Sequence, residues 1–176
     1  MKKMTTLVLC FVLILGITSA FAQIKNPDTF IKATYGTVRT LDPAVSYDTT
    51  GSQRLQNLYE TLIRFKGDST EEFEPILAVE VPSVENGGIS ADGMTYTFKI
   101  REDVKFHGGE TLTAEDVAYS FERNMVVDPD GGPMWMMLEA LTGEGSTRDN
   151  DGNLIPGIFE KIMASVEVDG DKVILH

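Results

Sequence analysis

The chain has one cysteine, two histidines and one tryptophan in 176 residues. The cysteine is Cys10, near the amino terminus. With none beyond it, a disulfide framework and thiolate chemistry are excluded for the rest of the chain, which must rely on an ordinary apolar core. One histidine, His107, lies inside the chain, and the other, His176, is its last residue. A zinc centre normally takes three or four ligands, mostly His and Cys, so this pair alone does not point to one. Basic residues are also scarce, 15 against 27 acidic ones, for a formal charge of −12. Such a surface repels nucleic acid, whose binding rests on Lys and Arg neutralising phosphates. Long apolar runs are missing except for the eleven residues Leu7 to Ile17, too few to span a bilayer. No HExxH, phosphate loop or nucleophile elbow occurs.

What is present begins with an export pattern. Lys2 and Lys3 precede the apolar run, and Ala20-Phe21-Ala22 puts small residues at the two positions a signal peptidase reads. Residues 1–22 are expected to be a signal peptide cut after Ala22, which sends the protein to a periplasm or an outer surface. A membrane anchor is the weaker reading, since the run is short. Cys10 follows Leu9 where a lipobox wants a small residue, so lipidation is not expected. Removing Lys2 and Lys3 and no acid leaves 13 basic and 27 acidic residues, a charge of −14. The remaining chain, residues 23–176, is long enough to bury about 68–70% of its unfolded surface as one domain.

The patterning is mixed α and β, without the regular alternation of a doubly wound sheet. Phe30–Tyr35 alternates and is rich in strand formers. Leu41-Asp42-Pro43 forces an extended or turned backbone. Asp48–Ser52 reads as a helix entrance, and Leu55, Leu58, Tyr59, Leu62 and Ile63 follow as one helical stripe. Residues 66–74 read as a polar loop. Met94–Ile100 alternates cleanly and is expected to close a hairpin begun at Val84. Residues 128–133 form a break rich in Pro and Gly, and residues 143–157 a charged loop. Val166–Leu175 reads as two short strands around Asp169-Gly170. The chain stops one residue later, which suggests a truncated protein.

Several polar clusters invite a chemical reading. Thr113 and Asp116 have capping-box spacing, and Glu115 and Asp116 face the positive end of a helix dipole, so a cap explains these acids without catalysis. His107 sits before Gly108-Gly109 without partner ligands, as a turn residue would. Asp149–Asn153 resembles a calcium loop, but Leu154 occupies the position where that loop needs glycine, so a turn is the better account. For Met134, Trp135, Met136 and Met137, buried core is the default reading, and an adaptable wall for apolar ligands is the alternative.

Three stretches then assemble into a resemblance. They are LDPAVSYDTTGSQRLQNLYETLIRF from Leu41, DGMTYTFKIREDVKFHGGETLTAEDVAYSFER from Asp92, and FEKIMASVEVDGDKVIL from Phe159. In order, they are similar to the N-terminal third of the extracellular solute-binding proteins of family 5, the peptide-binding components of ABC importers. The resemblance implies a non-enzymatic binding subunit without cofactor. Its fold would be part of a two-lobed, type II periplasmic-binding-protein fold, holding the start of the first lobe and its inserted subdomain. The implied partners are a peptide and, in the membrane, an ABC permease and ATPase, with the binding protein itself a monomer. Relatives also bind oligosaccharides and nickel complexes. The implied ligand-facing residues are Thr37, Val38 and Arg39, together with Met134, Trp135 and Met136. The rivals from other classes are a small secreted enzyme and a fragment with no function of its own.

Overall fold

The computed structural model describes residues 26–34, 36–127 and 132–176. The expected signal peptide, Tyr35 and most of the Pro-Gly break lie outside the described residues. The chain divides into two units, residues 1–35 and 36–176. In the first, Thr29 N–H closes a turn onto the Asn26 carbonyl at 3.1 Å. Residues 30–34 form no strand, contrary to expectation. Alternation marks a segment suited to a strand, but a strand exists only where a neighbour offers a ladder.

The second unit opens with helix α1, Thr49–Leu58. Asp48 is its N-cap, the carboxylate accepting the Gly51 N–H at 2.7 Å. The stripe read from the sequence as one helix ends early. Tyr59 turns extended, at φ −121° and ψ 149°. Ile63 enters strand β1, Ile63–Phe65, which pairs antiparallel with β2, Phe73–Pro75. The Leu62 carbonyl accepts from Ile76 and Ala78 N–H at 3.0 and 3.1 Å. Leu62 is buried there, while Leu58 on α1 stays half exposed. Tertiary pairing therefore overrode a helical period that carried no stop signal. Of the segment read as a loop, residues 66–72 are the connection of the β1–β2 hairpin and Phe73 and Glu74 belong to β2, with the Phe65 and Phe73 rings stacked 4.7 Å apart.

Strand β3 covers Tyr96–Lys99, shorter than the alternation suggested. Phe98 and Ile100 are buried, but Met94 is exposed. Residues 84–93 join β3 through the single bridge of Ile89 to Tyr96 and the Thr97 N–H to the Gly88 carbonyl at 2.8 Å. The full ladder of β3 is made with the last strand. Helix α2, Ala114–Val127, follows a tight turn in which Lys105 pairs with Thr111. Helix α3, Trp135–Thr142, ends on Gly143 at φ 77°, a left-handed cap that suits glycine. Helix α4, Ile158–Ala164, leads into strands β4, Val166–Asp169, and β5, Lys172–Leu175. Their two-residue connection places Gly170 at φ 61°, so the expected hairpin is present.

The three-stranded antiparallel sheet has the order β3-β5-β4. Helices α2 and α4 pack against it, and α3 packs on α2 and α4. Val173, Phe98, Val117, Met125, Leu138, Ile158 and Ile162 form the centre of the core. Among the described residues no helix is long and apolar enough to cross a membrane.

Candidate functional site

Asp42 organises the turn that follows the predicted residues Thr37, Val38 and Arg39. Its N–H donates to Thr40 Oγ1 at 3.1 Å, and its Oδ1 accepts the Ala44 N–H at 3.0 Å. Its carbonyl accepts from Val45 and Ser46 N–H at 3.1 and 2.9 Å. One residue thus satisfies most of a turn that Pro43 had already made non-helical. The chain then enters α1 at close quarters. A side chain on Gly51 would collide with Ser46 Oγ, and one on Gly36 with Thr50 Oγ1.

Three side chains from elsewhere hold this turn. Arg123, on α2, donates from Nη1 and Nη2 to the two Asp42 oxygens at 3.0 and 2.7 Å. This fork is stronger and more directional than a single contact. The Arg123 guanidinium holds the Asp42 carboxyl below the usual aspartate range, against a smaller opposing effect of desolvation. Asp42 in turn raises Arg123. Tyr59 donates its hydroxyl to the Leu41 carbonyl at 3.2 Å. Trp135 donates its indole N–H to the Tyr47 hydroxyl at 3.4 Å.

The predicted residues occupy two segments. Thr37 and Arg39 are exposed and Val38 is half-buried. Met134 caps α3 and is half-buried, while Trp135 and Met136 are exposed. Leu138, one turn on, is fully buried. The apolar cluster is therefore neither all core nor all surface. Its later residues anchor α3, and Trp135 and Met136 face outward. The indole hydrogen bond of Trp135 goes to Tyr47, outside residues 37–39, and Tyr47 is itself more than half exposed. Sequence reading missed Asp42, Tyr47, Tyr59 and Arg123 as a group. The only local signal was the Asp-Pro turn; nothing in sequence spacing pairs residues 81 positions apart.

The other polar clusters take structural geometry. Thr113 Oγ1 accepts the Asp116 N–H at 3.3 Å, and Asp116 Oδ2 accepts the Thr113 N–H at 2.9 Å, a complete capping box. Along α2, Val117 and Ala118 are buried and Phe121 is half-buried, while Tyr119 is exposed. His107 is exposed in the turn before Gly108. Asp149 Oδ1 accepts from Asp151 and Asn153 N–H at 3.0 and 2.9 Å, closing a small hairpin. A shallow depression lies elsewhere, walled by Arg101, Glu102, Leu112, Glu115 and Asp171. It contains none of the predicted ligand-facing residues, and its width and charged rim offer little to enclose a ligand.

The family profile described as bacterial extracellular solute-binding proteins, family 5, matches residues 72–175. The chain belongs to this family. Among its relatives, dipeptide-binding protein DppE of Bacillus subtilis is 36% identical over 113 residues, covering 64% of this chain and 19% of the relative. Heme-binding protein A of Haemophilus influenzae is 34% identical over 116 residues, covering 62% of this chain and 20% of the relative. The substrate-binding domain of an oligopeptide ABC transporter from Bacillus anthracis matches in structure with TM-score 0.56 at 27% identity, over 82% of this chain and 25% of the other. Listeria monocytogenes OppA bound to peptide matches with TM-score 0.57 at 24% identity, over 79% and 25%, a likeness of fold. The chain thus spans about a fifth of the length of the curated relatives it matches. The mixed α and β architecture is that of one segment of a two-lobed periplasmic binding protein, as the sequence led one to expect.

Proposed function

We propose that this chain carries part of the ligand-facing wall of an exported binding subunit that delivers peptides to an ABC permease and ATPase. The observation that carries the reading is the family match across residues 72–175. The dipeptide- and oligopeptide-binding relatives support peptide as the cargo. The export pattern at residues 1–22 supports action outside the membrane. Thr37, Val38, Arg39, Trp135 and Met136 form the wall, with Met134 behind it. The wall's side chains suit binding: an indole, thioethers and a guanidinium can stack on, adapt to and pair with a solute. Nothing in this reading requires the protein to transform its ligand.

A second reading, heme as cargo, follows from the similarity to heme-binding protein A. Calorimetric titration of the full-length protein with di-, tri- and tetrapeptides and with hemin separates the two. Peptide binding is expected, and W135A is expected to weaken it by about tenfold or more, as loss of a buried aromatic anchor does. Saturable heat with hemin and none with any peptide would overturn the peptide assignment.

A further inference from the structure

The turn from Leu41 to Tyr47 is tied down from three directions. Arg123 grips Asp42 from α2, Tyr59 reaches the Leu41 carbonyl from the end of α1, and Trp135 reaches Tyr47 from the start of α3. Only the first is charged and forked. The other two are single contacts at 3.2 and 3.4 Å that leave the rings free to tilt. Asp42 Oδ1 is shared between Arg123 and the Ala44 N–H. The carboxylate cannot swing away from Arg123 without disturbing the turn that sets where Tyr47 emerges. About a third of each side chain remains in contact with solvent, so the pair contributes modestly to stability. Its geometric effect is larger, because it joins segments 81 residues apart.

We propose that Asp42 and Arg123 are positioning residues, whose forked ion pair sets the turn against α2 so that Tyr47 meets Trp135 and the two halves of the wall become one surface. The proposal rests on the functional reading only in taking that wall to face a ligand. The clamp itself operates with or without one. Lysine at position 123 keeps the charge and loses the fork, which makes R123K the discriminating variant.

The test uses the full-length protein labelled with 5-fluorotryptophan, the Trp135 fluorine resonance being assigned by its loss in W135F. Y47F supplies the shift produced when the Tyr47 acceptor is removed. R123K and D42N are expected to move the Trp135 resonance in the direction of Y47F, with an unchanged far-ultraviolet spectrum. They are also expected to weaken binding of the tripeptide Ala-Phe-Ala by at least about fivefold, at the low end of couplings between distant groups. A pair that only added stability would lower the melting temperature and leave the resonance of the folded protein in place. If Y47F moves the resonance while R123K and D42N do not, the clamp is overturned. If the wild-type protein binds no peptide but the resonance moves in R123K, the clamp stands and the peptide reading fails. Should D42N not fold, R123K alone decides between these outcomes.

Discussion

Ile162 is fully buried on α4, which packs against α2, α3 and β4. Replacing it by alanine removes three carbons, worth about 2.4 kcal/mol at roughly 0.8 kcal/mol per buried methylene. The cavity left among four elements adds to this, because they can close it only partly. The total expected for I162A is about 3–4 kcal/mol. I162V removes one carbon and is expected to cost about 1 kcal/mol. The neighbouring Met163 is 53% exposed, so M163A is expected to change stability by less than about 0.5 kcal/mol. Urea denaturation followed by far-ultraviolet circular dichroism measures all three. The order I162A, then I162V, then M163A tests where the core lies, since the two positions are neighbours on one helix. Equal midpoints for I162A and M163A would refute the placement of α4 against the sheet.

Two further predictions concern the helix cap and the acid limb of stability. T113A removes the acceptor for the Asp116 N–H and leaves the first turn of α2 with an orphan donor. It is expected to cost about 1 kcal/mol by the same denaturation assay, whereas T113S should retain most of the cap. Asp42 has a folded pKa below its unfolded one, because Arg123 favours the carboxylate. A depressed pKa contributes stability that is full above the unfolded value, about 3.9, and is lost as pH falls through the folded value. The stability gap between wild type and D42N is therefore expected to be widest near neutrality and to narrow below about pH 4. Melting temperatures of both proteins from pH 7 to pH 2.5 measure it, and a gap independent of pH would remove the ion pair from the account.

Much of the local structure was legible because its causes are local. The Thr113–Asp116 box, the Gly170 turn with its two strands, and the N-cap at Asp48 each place donor and acceptor within a few residues. The family resemblance was legible for the same reason, since its motifs are continuous stretches. The failures were of another kind. The helical stripe through Ile63 was a plausible continuation of α1 until Leu62 found partners at Ile76 and Ala78. The strand expected at residues 30–35 had the right alternation and no ladder among the described residues. Met94–Ile100, read as the second half of a hairpin, does meet the first half at the Ile89–Tyr96 bridge, but its full ladder is built with β5, more than seventy residues on.

The candidate site divides along the same line. Composition and motif alone determined that this is an acidic chain with a single cysteine, carrying a solute-binding signature and an apolar stretch at Met134–Leu138. Which of those apolar residues face outward was decided by the packing of α3, which buries Leu138 and leaves Trp135 and Met136 at the surface. That Asp42 belongs with Arg123, and Tyr47 with Trp135, was decided by tertiary structure alone. Capping and turn chemistry act through neighbouring residues and leave a mark in their spacing. An ion pair between a loop and a distant helix leaves none, because its geometry exists only once the helices have packed.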